Sequence, residues 1–348
     1  MFSTAFYGCE KNQTSTSFIQ EQTTDNCIEK SNLAEPLFIL PEGSVVSPVG
    51  NLTAISAKFY TNIIYNASDT TQKCKFDIFI PNTATTFKES SLVIYIHGGG
   101  FNNRSKEDAY NIERHPYAAD IKKYLKKGIA FVTIDFRNKD DFNVLGNTNQ
   151  IEHSLGDIKR CLQFLKYNSV QLKINKNKIG VYGGSSGGCA SLWLGLNDNM
   201  ASVNSEEIMR DSILGESTRV LAVGHYNSQC SLDKQFLIDT YFNNENSCLF
   251  PGSVDPSPNL NFPLFITADD PDLYIFNDND TDCSTTDKIS HHPYHAIILK
   301  NKIDEVWPTG ISTGKMVVTI PIYSIPAAGS VLVSKNKSLF NFMCSRLK

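Results

Sequence analysis

Short, nearly continuous apolar runs alternate with helical patterns along most of the chain, and this alternation limits the possible folds more than any other feature. Strands that are apolar on both sides belong in a sheet that is covered on both faces, as parallel sheets are. Helical stretches separate most of the runs, which is typical of crossovers between parallel strands. The runs span residues 91–97, 128–136, 178–184, 219–226, 262–268 and 315–324. We therefore predict an α/β fold with a mostly parallel central sheet flanked by helices.

The regions outside these runs suggest how the chain is divided. Residues 1–55 are polar with few periodic apolar positions, and we predict that they form an N-terminal extension. The stretches KFYTNIIYN and CKFDIFIP then alternate apolar and polar residues, as half-buried antiparallel strands do. We predict one α/β domain over 56–348, in which the weakly patterned segment 228–261 is the candidate for a cap or rim.

Composition and charge exclude several classes of protein. Charged residues make up 20% of the chain and the net charge is −4, so no nucleic-acid partner is expected. The most apolar late stretch contains Pro321 and Pro326 and alternates like strand and loop, so no transmembrane span is expected there. The glycine-rich turns lack the spacing of nucleotide-binding loops, and no cofactor or metal is predicted.

The nine cysteines bear on the compartment. Cys161, Cys189 and Cys344 lie in apolar helical patterns and are predicted to be buried thiols. The other six lie in polar stretches: Cys9, Cys27, Cys74, Cys230, Cys248 and Cys283. Glycosylation sequons begin at Asn12, Asn51, Asn66, Asn103, Asn279 and Asn336. Up to three disulfides in an oxidising compartment are consistent with this pattern, so we expect an exported protein, with a cytoplasmic one as the alternative.

The segment VYGGSSGGCA (181–190) is the strongest chemical signal in the sequence. An apolar strand runs into glycines and serines, and a helical pattern follows. A nucleophilic serine requires such a sharp turn, with small residues around it so that the strand and the helix can approach closely. Two frames fit, centred on Ser185 or on Ser186, and the strand's end at Tyr182 favours Ser185. The alternative is a glycine-rich phosphate-binding turn.

A second glycine-rich segment, HGGGF (97–101), directly follows a predicted buried strand. Consecutive glycines allow backbone N–H groups to converge on one point, as an oxyanion hole requires. The segment precedes the serine turn, and strand–helix units lie between the two. His97 is interpreted as structural.

Together these motifs resemble the α/β-hydrolase superfamily, specifically carboxylesterases related to hormone-sensitive lipase and to bacterial feruloyl-esterase-like proteins. The resemblance runs from about Phe59 to the C-terminus. It implies that Ser185 is the nucleophile and that the amides of Gly99, Gly100 and Ser186 hold the oxyanion. It also places Arg137 and Asp157 at positions that we interpret as a structural ion pair.

The resemblance places the catalytic acid after the next-to-last strand, in the segment 262–273. Counting from Pro263 puts Asp272 at the catalytic position, with Asp270 as the second choice. The alternative is that this acidic loop, which also contains Asp269, only caps the strand end or binds a cation together with residues 277–282.

The catalytic histidine is missing from its expected position. The family pattern there is a proline, two small residues, a glycine and then histidine, whereas residues 326–330 read PAAGS. Ser330 cannot accept a proton near neutral pH, and no histidine follows His295. The segment HHPYH (291–295) begins a helix that is expected at the same sheet edge as the serine, and within it His292 and His295 are the predicted bases. His225 ends a strand and is a further candidate for that edge. The other histidines are interpreted as structural or exposed: His97, His115 and His153.

Two functions therefore remain open. The first is hydrolysis of a small-molecule carboxylic ester by Ser185, with a base from the HHPYH segment. The second is a catalytically inactive α/β-hydrolase homologue that acts as a binding or interaction module, since Ser330 stands where the histidine belongs. An engineered inactivating substitution at this position is a third reading. The acyl and alcohol parts of a substrate are not specified by the sequence.

Overall fold

The computed structural model describes residues 38–110, 120–141, 147–233, 258–277, 290–319 and 338–348. Within these ranges the chain forms an eight-stranded sheet with helices on both faces, which confirms the predicted fold class. The strands are β1 Ala57–Ile64, β2 Lys75–Pro81, β3 Ser90–Ile96, β4 Ile129–Ile134, β5 Ile174–Gly184, β6 Ala222–Tyr226, β7 Asp272–Phe276 and β8 Met316–Thr319.

The strand order is β1-β2-β4-β3-β5-β6-β7-β8. β1 pairs antiparallel with β2, and β2 pairs antiparallel with β4, as the two alternating stretches predicted. All other neighbours are parallel. The carboxyl ends of β3, β5, β6, β7 and β8 therefore meet at one edge of the sheet, which we call the upper edge.

Helices cover both faces because both faces of the parallel strands are apolar. The helices are α1 Asp120–Lys126, α2 Asn147–Tyr167, α3 Ser169–Leu172, α4 Ser186–Leu196, α5 Ser205–Arg210, α6 Tyr294–Val306, α7 Gly310–Thr313 and α8 Leu339–Leu347. The apolar residues of α2, α4 and α6 pack in one core cluster. Those of α1 and α8 pack in a second cluster on the other face.

One predicted strand is wrong. Residues 262–268 do not join the sheet, and Phe262–Phe265 instead form a 3-10 turn. Phe262 and Pro263 are buried, but Leu264 is exposed, so the apolar run packs one side of a turn against the core. The strand at this place is β7, which hydrogen-bonds to β6 and β8. An apolar run alone does not distinguish a packed turn from a buried strand.

The structure also corrects part of the cysteine prediction. Cys161, Cys189 and Cys344 are buried free thiols, as predicted. Cys74 and Cys230 are buried free thiols too, although their polar sequence surroundings predicted loop positions available for disulfides. Cys9, Cys27, Cys248 and Cys283 lie outside the described residues. Export of the protein stays a prediction.

The remaining organisational predictions fall mostly outside the described ranges. Of the extension 1–55, the structure describes residues 38–55, in which Ser44 forms an isolated bridge with Phe59 of β1. Most of the cap candidate 228–261 is not described. No helix in the described ranges is both long enough and apolar enough to cross a bilayer.

Candidate active site

Ser185 lies at the tip of the sharp turn between β5 and α4. Its backbone has φ 53° and ψ −132°, a conformation that is costly for a residue with a side chain and that clusters at functional sites. The Ser185 N–H donates to the carbonyl oxygen of Tyr226 at 3.1 Å, and the Ser185 carbonyl accepts from Cys189 N–H at 3.0 Å. Ser186 is buried as the first residue of α4. The turn thus presents Ser185 at the upper edge.

Glycines make this turn possible. A Cβ on Gly183 would lie 2.4 Å from the backbone of Gly187, and a Cβ on Gly187 would lie 2.1 Å from the carbonyl oxygen of Ile96. The start of α4 therefore packs directly on the backbone of β5 and β3, which only glycine at these two positions permits.

The HGGGF loop leaves β3 beside this turn. Gly99 and Gly100 have φ of 104° and 66°, which glycine adopts readily. A Cβ on Gly98 would be 3.3 Å from the Cβ of Ser185, so the loop approaches the serine closely. The Phe101 N–H donates to Ser186 Oγ at 3.4 Å, which joins the loop to α4. The loop and the N-terminus of α4 therefore lie next to each other beside Ser185, and a helix N-terminus favours negative charge nearby.

An imidazole reaches the serine from the HHPYH segment. His291 Nε2 lies 2.7 Å from Ser185 Oγ, although the two residues are 106 positions apart in the sequence. His291 is half-buried and lies in the turn that precedes α6. A serine and an imidazole at hydrogen-bond distance are the arrangement that a nucleophile and its general base require.

The ring that the structure places against Ser185 is therefore that of His291, and not that of His292 or His295, the two bases predicted from the sequence. His292 is buried, and its Nδ1 accepts from Tyr294 N–H at 3.2 Å. His295 is on the buried side of α6, and its Nδ1 accepts from Cys230 N–H at 3.4 Å. His292 thus binds a backbone group at the start of α6, and His295 binds one in the segment after β6. Both residues are buried, whereas His291 is half-buried and reaches Ser185 at the upper edge.

Asp272 is not the partner of this histidine. It is the first residue of β7 and pairs in register with Ala222, the first residue of β6. It forms ion pairs with Arg346 and Lys315. A strand rises about 3.3 Å per residue, so the length of β7 puts Asp272 roughly 13 Å from the upper edge. The misplaced strand explains the error, because a carboxylate that was expected after the strand is in fact its first residue.

Asp270, the second choice for the catalytic acid, lies with Asp272 at the end of β7 that is away from the upper edge. Asp270 is buried, precedes β7, and accepts from Thr267 N–H at 2.8 Å. Asp269 is exposed and pairs with Arg219 at 3.2 Å. Both therefore hold the loop ahead of β7. The first carboxylates after β7 in the sequence are Asp278 and Asp280, and these two residues, like Ser330, lie outside the described ranges.

Arg137 and Asp157 form the expected ion pair. Arg137 Nε and Nη2 donate to the two carboxylate oxygens of Asp157 at 2.8 and 2.7 Å, and the Arg137 backbone N–H adds a third bond at 3.1 Å. The pair joins the segment after β4 to α2. It supports the scaffold rather than the chemistry.

Two buried imidazoles flank the site. His97 stacks on Phe136 at 4.3 Å, and its Nδ1 lies 2.8 Å from the Gly98 carbonyl oxygen. His225, at the end of β6, places Nε2 2.8 Å from the Ser228 carbonyl oxygen. A carbonyl only accepts, so in each ring this nitrogen carries the proton. Burial lowers the pKa of both histidines to about 4.

The lowered pKa values of His97 and His225 predict that the protein loses stability in acid. Above the unfolded-state pKa of about 6.5 both states are neutral, whereas between pH 6.5 and 4 only the unfolded chain takes up the protons. Stability is thus fully present above about pH 6.5 and is lost as the pH falls towards 4. We expect each ring to remove about 2 kcal/mol of unfolding free energy between about pH 7.5 and pH 5. His225→Gln should make this loss smaller by that amount in urea unfolding.

His153→Gln, at an exposed position on α2, is the parallel variant that controls for the replacement of a histidine by glutamine. The change in unfolding free energy between the two pH values is compared between variant and parent, so the contributions of other titrating groups cancel. One such group is Asp135, whose pKa burial raises to about 6 and whose effect therefore has the opposite sign. An unchanged pH difference in His225→Gln would contradict the prediction.

Among the described residues, no group of three or more His, Cys, Asp or Glu side chains is placed to hold a metal ion. The arrangement that the structure does bring together is a strained serine, an imidazole within hydrogen-bond distance of it, and a glycine loop next to a helix N-terminus. This set can activate a hydroxyl for attack on an electrophilic carbon and stabilise the resulting negative charge.

Comparison with known proteins agrees with this description. Residues 76–230 match the sequence model of the BD-FAE family, and this range contains both the HGGGF loop and the Ser185 turn. No curated protein sequence matches the chain.

Several solved structures share the fold. A truncated carbohydrate esterase from gut microbiota superposes with a TM-score of 0.52 at 20% identity, covering 75% of this chain and 86% of that one. Propionate-bound esterase 2 of the Planctomycetes species Thermogutta terrifontis gives 0.52 at 15% identity, covering 74% and 81%. The same esterase phosphonylated by cyclosarin gives 0.51 at 15% identity, with the same coverage of 74% and 81%.

The fold defines the class: the chain has the α/β-hydrolase fold, which it shares with these solved esterases. Within this fold, the part of the chain that is similar to the BD-FAE family is residues 76–230.

Proposed function

We propose that the protein hydrolyses carboxylic esters, with Ser185 as the nucleophile and His291 as the general base. The observation that carries the proposal is the distance of 2.7 Å between His291 Nε2 and Ser185 Oγ. It supplies an imidazole to a site whose sequence pattern has Ser330 in place of the histidine. An intact serine turn beside an intact glycine loop supports the same conclusion.

In the acylation step, Ser185 Oγ attacks the carbonyl carbon of the ester while His291 Nε2 takes the hydroxyl proton. The carbonyl oxygen becomes an oxyanion, which the backbone N–H groups of Gly99, Gly100 and Ser186 stabilise. The positive end of the α4 dipole favours the same charge. His291 then gives its proton to the departing alcohol oxygen as the C–O bond breaks, which leaves an acyl group on Ser185.

In the deacylation step, a water molecule takes the place of the alcohol. His291 Nε2 removes a proton from the water, whose oxygen attacks the acyl carbon. The second oxyanion uses the same backbone donors. When this tetrahedral intermediate collapses, the bond between the acyl carbon and Ser185 Oγ breaks. His291 returns the proton to Ser185 Oγ, so that the free enzyme and a carboxylic acid result.

The proposal is tested with a fluorophosphonate probe and with p-nitrophenyl acetate and butyrate. We expect the parent protein to be labelled stoichiometrically and to hydrolyse an ester at roughly 1 per second or faster. Ser185→Ala should abolish labelling and lower kcat by about 10³-fold or more. Ser186→Ala is the matched control in the neighbouring position of the turn, and it should still be labelled.

The inactive-homologue alternative makes the opposite prediction. A parent protein that is not labelled and does not exceed the rate of Ser185→Ala on either ester would contradict the proposal and favour a binding module. Labelling that moves to Ser186 when Ser185 is replaced would instead show that the frame is wrong.

A further inference from the structure

The HHPYH turn is held from below by a buried amide. Asn277 directly follows β7 at the upper edge and is fully buried. Its backbone N–H donates to the carbonyl oxygen of Thr319 at 3.1 Å, which anchors the residue to β8. Its side-chain Nδ2 donates to the carbonyl oxygen of His292 at 3.2 Å. The bond therefore fixes the peptide between His292 and Pro293, one residue beyond His291.

The His292 carbonyl oxygen accepts two hydrogen bonds in this turn. His292 O also accepts the His295 N–H at 3.1 Å, so one oxygen joins the sheet edge and the first turn of α6. His291 itself precedes this point, and the position of its ring depends on where the His292 peptide is held. Asn277 is thus the link between the rigid end of β7 and the imidazole that reaches Ser185.

Asn277 is a poor choice if stability is its only role. Its Oδ1 is buried and has no hydrogen-bond partner among the described residues. A buried oxygen without a partner costs more than an apolar group of the same shape. Buried polar atoms that have no partner, and therefore lower stability, are expected at functional sites. Of the two polar atoms of the Asn277 amide, the turn binds the donor nitrogen Nδ2.

Asn277 also shares its layer with His225. β6 and β7 pair His225 with Ile275, and alternation along β7 puts residue 277 on the same face as residue 275. His225 Nδ1 is likewise buried without a partner in the described ranges. This layer of the sheet therefore contains two polar side chains, each with a buried acceptor that has no partner in the described ranges.

We propose that Asn277 is a positioning residue, which sets the distance between His291 and Ser185 by holding the His292 carbonyl. The inference rests on the proposed function. It predicts that removing the donor nitrogen costs turnover without costing stability, because the removed group includes the unpaired oxygen. A purely structural role predicts that stability and turnover fall together.

The variants are Asn277→Leu, which removes both polar atoms at similar volume, and Asn277→Asp, which keeps the shape but replaces the donor with an acceptor. We expect kcat to fall about 10- to 100-fold in both, since small misplacements of a catalytic group have effects of this size. KM should stay within about 2-fold of the parent value, and fluorophosphonate labelling should slow by the same factor as kcat. The urea midpoint of Asn277→Leu should equal or exceed that of the parent.

Asn168 provides the matched control. It is a buried asparagine whose Nδ2 donates to the Phe164 carbonyl oxygen at 3.0 Å, at the opposite edge of the sheet. Asn168→Leu should lower the urea midpoint and leave kcat per folded molecule unchanged.

A crystal structure of Asn277→Leu gives a readout that does not depend on activity. We expect the Ser185 Oγ to His291 Nε2 distance to lengthen beyond hydrogen-bond range from its 2.7 Å. An unchanged distance together with parental kcat would overturn the inference, as would a loss of kcat that follows a loss of stability. A parent protein without esterase activity or labelling would refute the proposed function itself, while the crystallographic distance would still test the inference.

Discussion

His291→Ala should lower kcat for p-nitrophenyl esters by about 10³-fold or more, with little change in KM. The reason is the contact between His291 Nε2 and Ser185 Oγ, which makes this ring the group that takes the proton as the serine attacks. Substrate binding does not need that proton transfer, so KM should be spared. The measurement is steady-state kinetics, with the labelling rate as a second readout.

The double variant Ser185→Ala/His291→Ala sharpens this test. Residues that act as one unit lose their function together, so the double variant should be no slower than either single one. His153→Ala, at an exposed position on α2, should retain parental kinetics. Parental turnover in His291→Ala would contradict the assignment and return attention to the other histidines. Losses that multiply in the double variant would show that the two residues act separately.

Gly187→Ala should destabilise the protein by about 3 kcal/mol or more and abolish labelling of Ser185. The added Cβ would lie 2.1 Å from the Ile96 carbonyl oxygen and 2.5 Å from the His97 carbonyl oxygen. Both neighbours are backbone atoms between β3 and the glycine loop, so neither can rotate away as a side chain would. The first turn of α4 must shift, and the serine turn shifts with it. Urea unfolding measures the free energy.

Gly156→Ala is the matched control for this substitution. Gly156 lies within α2, and a Cβ there would meet nothing within 4 Å. Alanine has the higher helix propensity, so this variant should gain about 0.5–1 kcal/mol. Equal stability of Gly187→Ala and the parent would show that β3 and α4 are not in the close contact that the turn requires.

The sequence alone was enough for the framework of the fold. The apolar runs gave the parallel strands β3, β4, β5, β6 and β8, because a strand buried on both faces has no polar positions to interrupt it. It was not enough for β7, because the apolar run at 262–268 folds as a packed turn and the true strand is only five residues long. The displaced strand carried Asp272 to the wrong end of the sheet.

The serine turn and the glycine loop could be predicted from the sequence because their requirements are local. Glycines around Ser185 and in the HGGGF loop are needed where backbones touch or φ is positive, and such needs show directly as residue types in sequence. The base was different. Three histidines lie within five residues of each other, and their composition is the same whichever ring faces the serine.

What the sequence determined by itself is therefore the α/β architecture, the serine turn and the loop beside it, because periodicity and glycine placement are local properties of the chain. Only the tertiary structure decided which imidazole meets the serine. The start of α6 and the Asn277 bond to the His292 carbonyl orient the turn so that His291 faces the upper edge, while His292 and His295 face the core. That orientation depends on the packing of a helix against a sheet edge, which no pattern within residues 291–295 encodes.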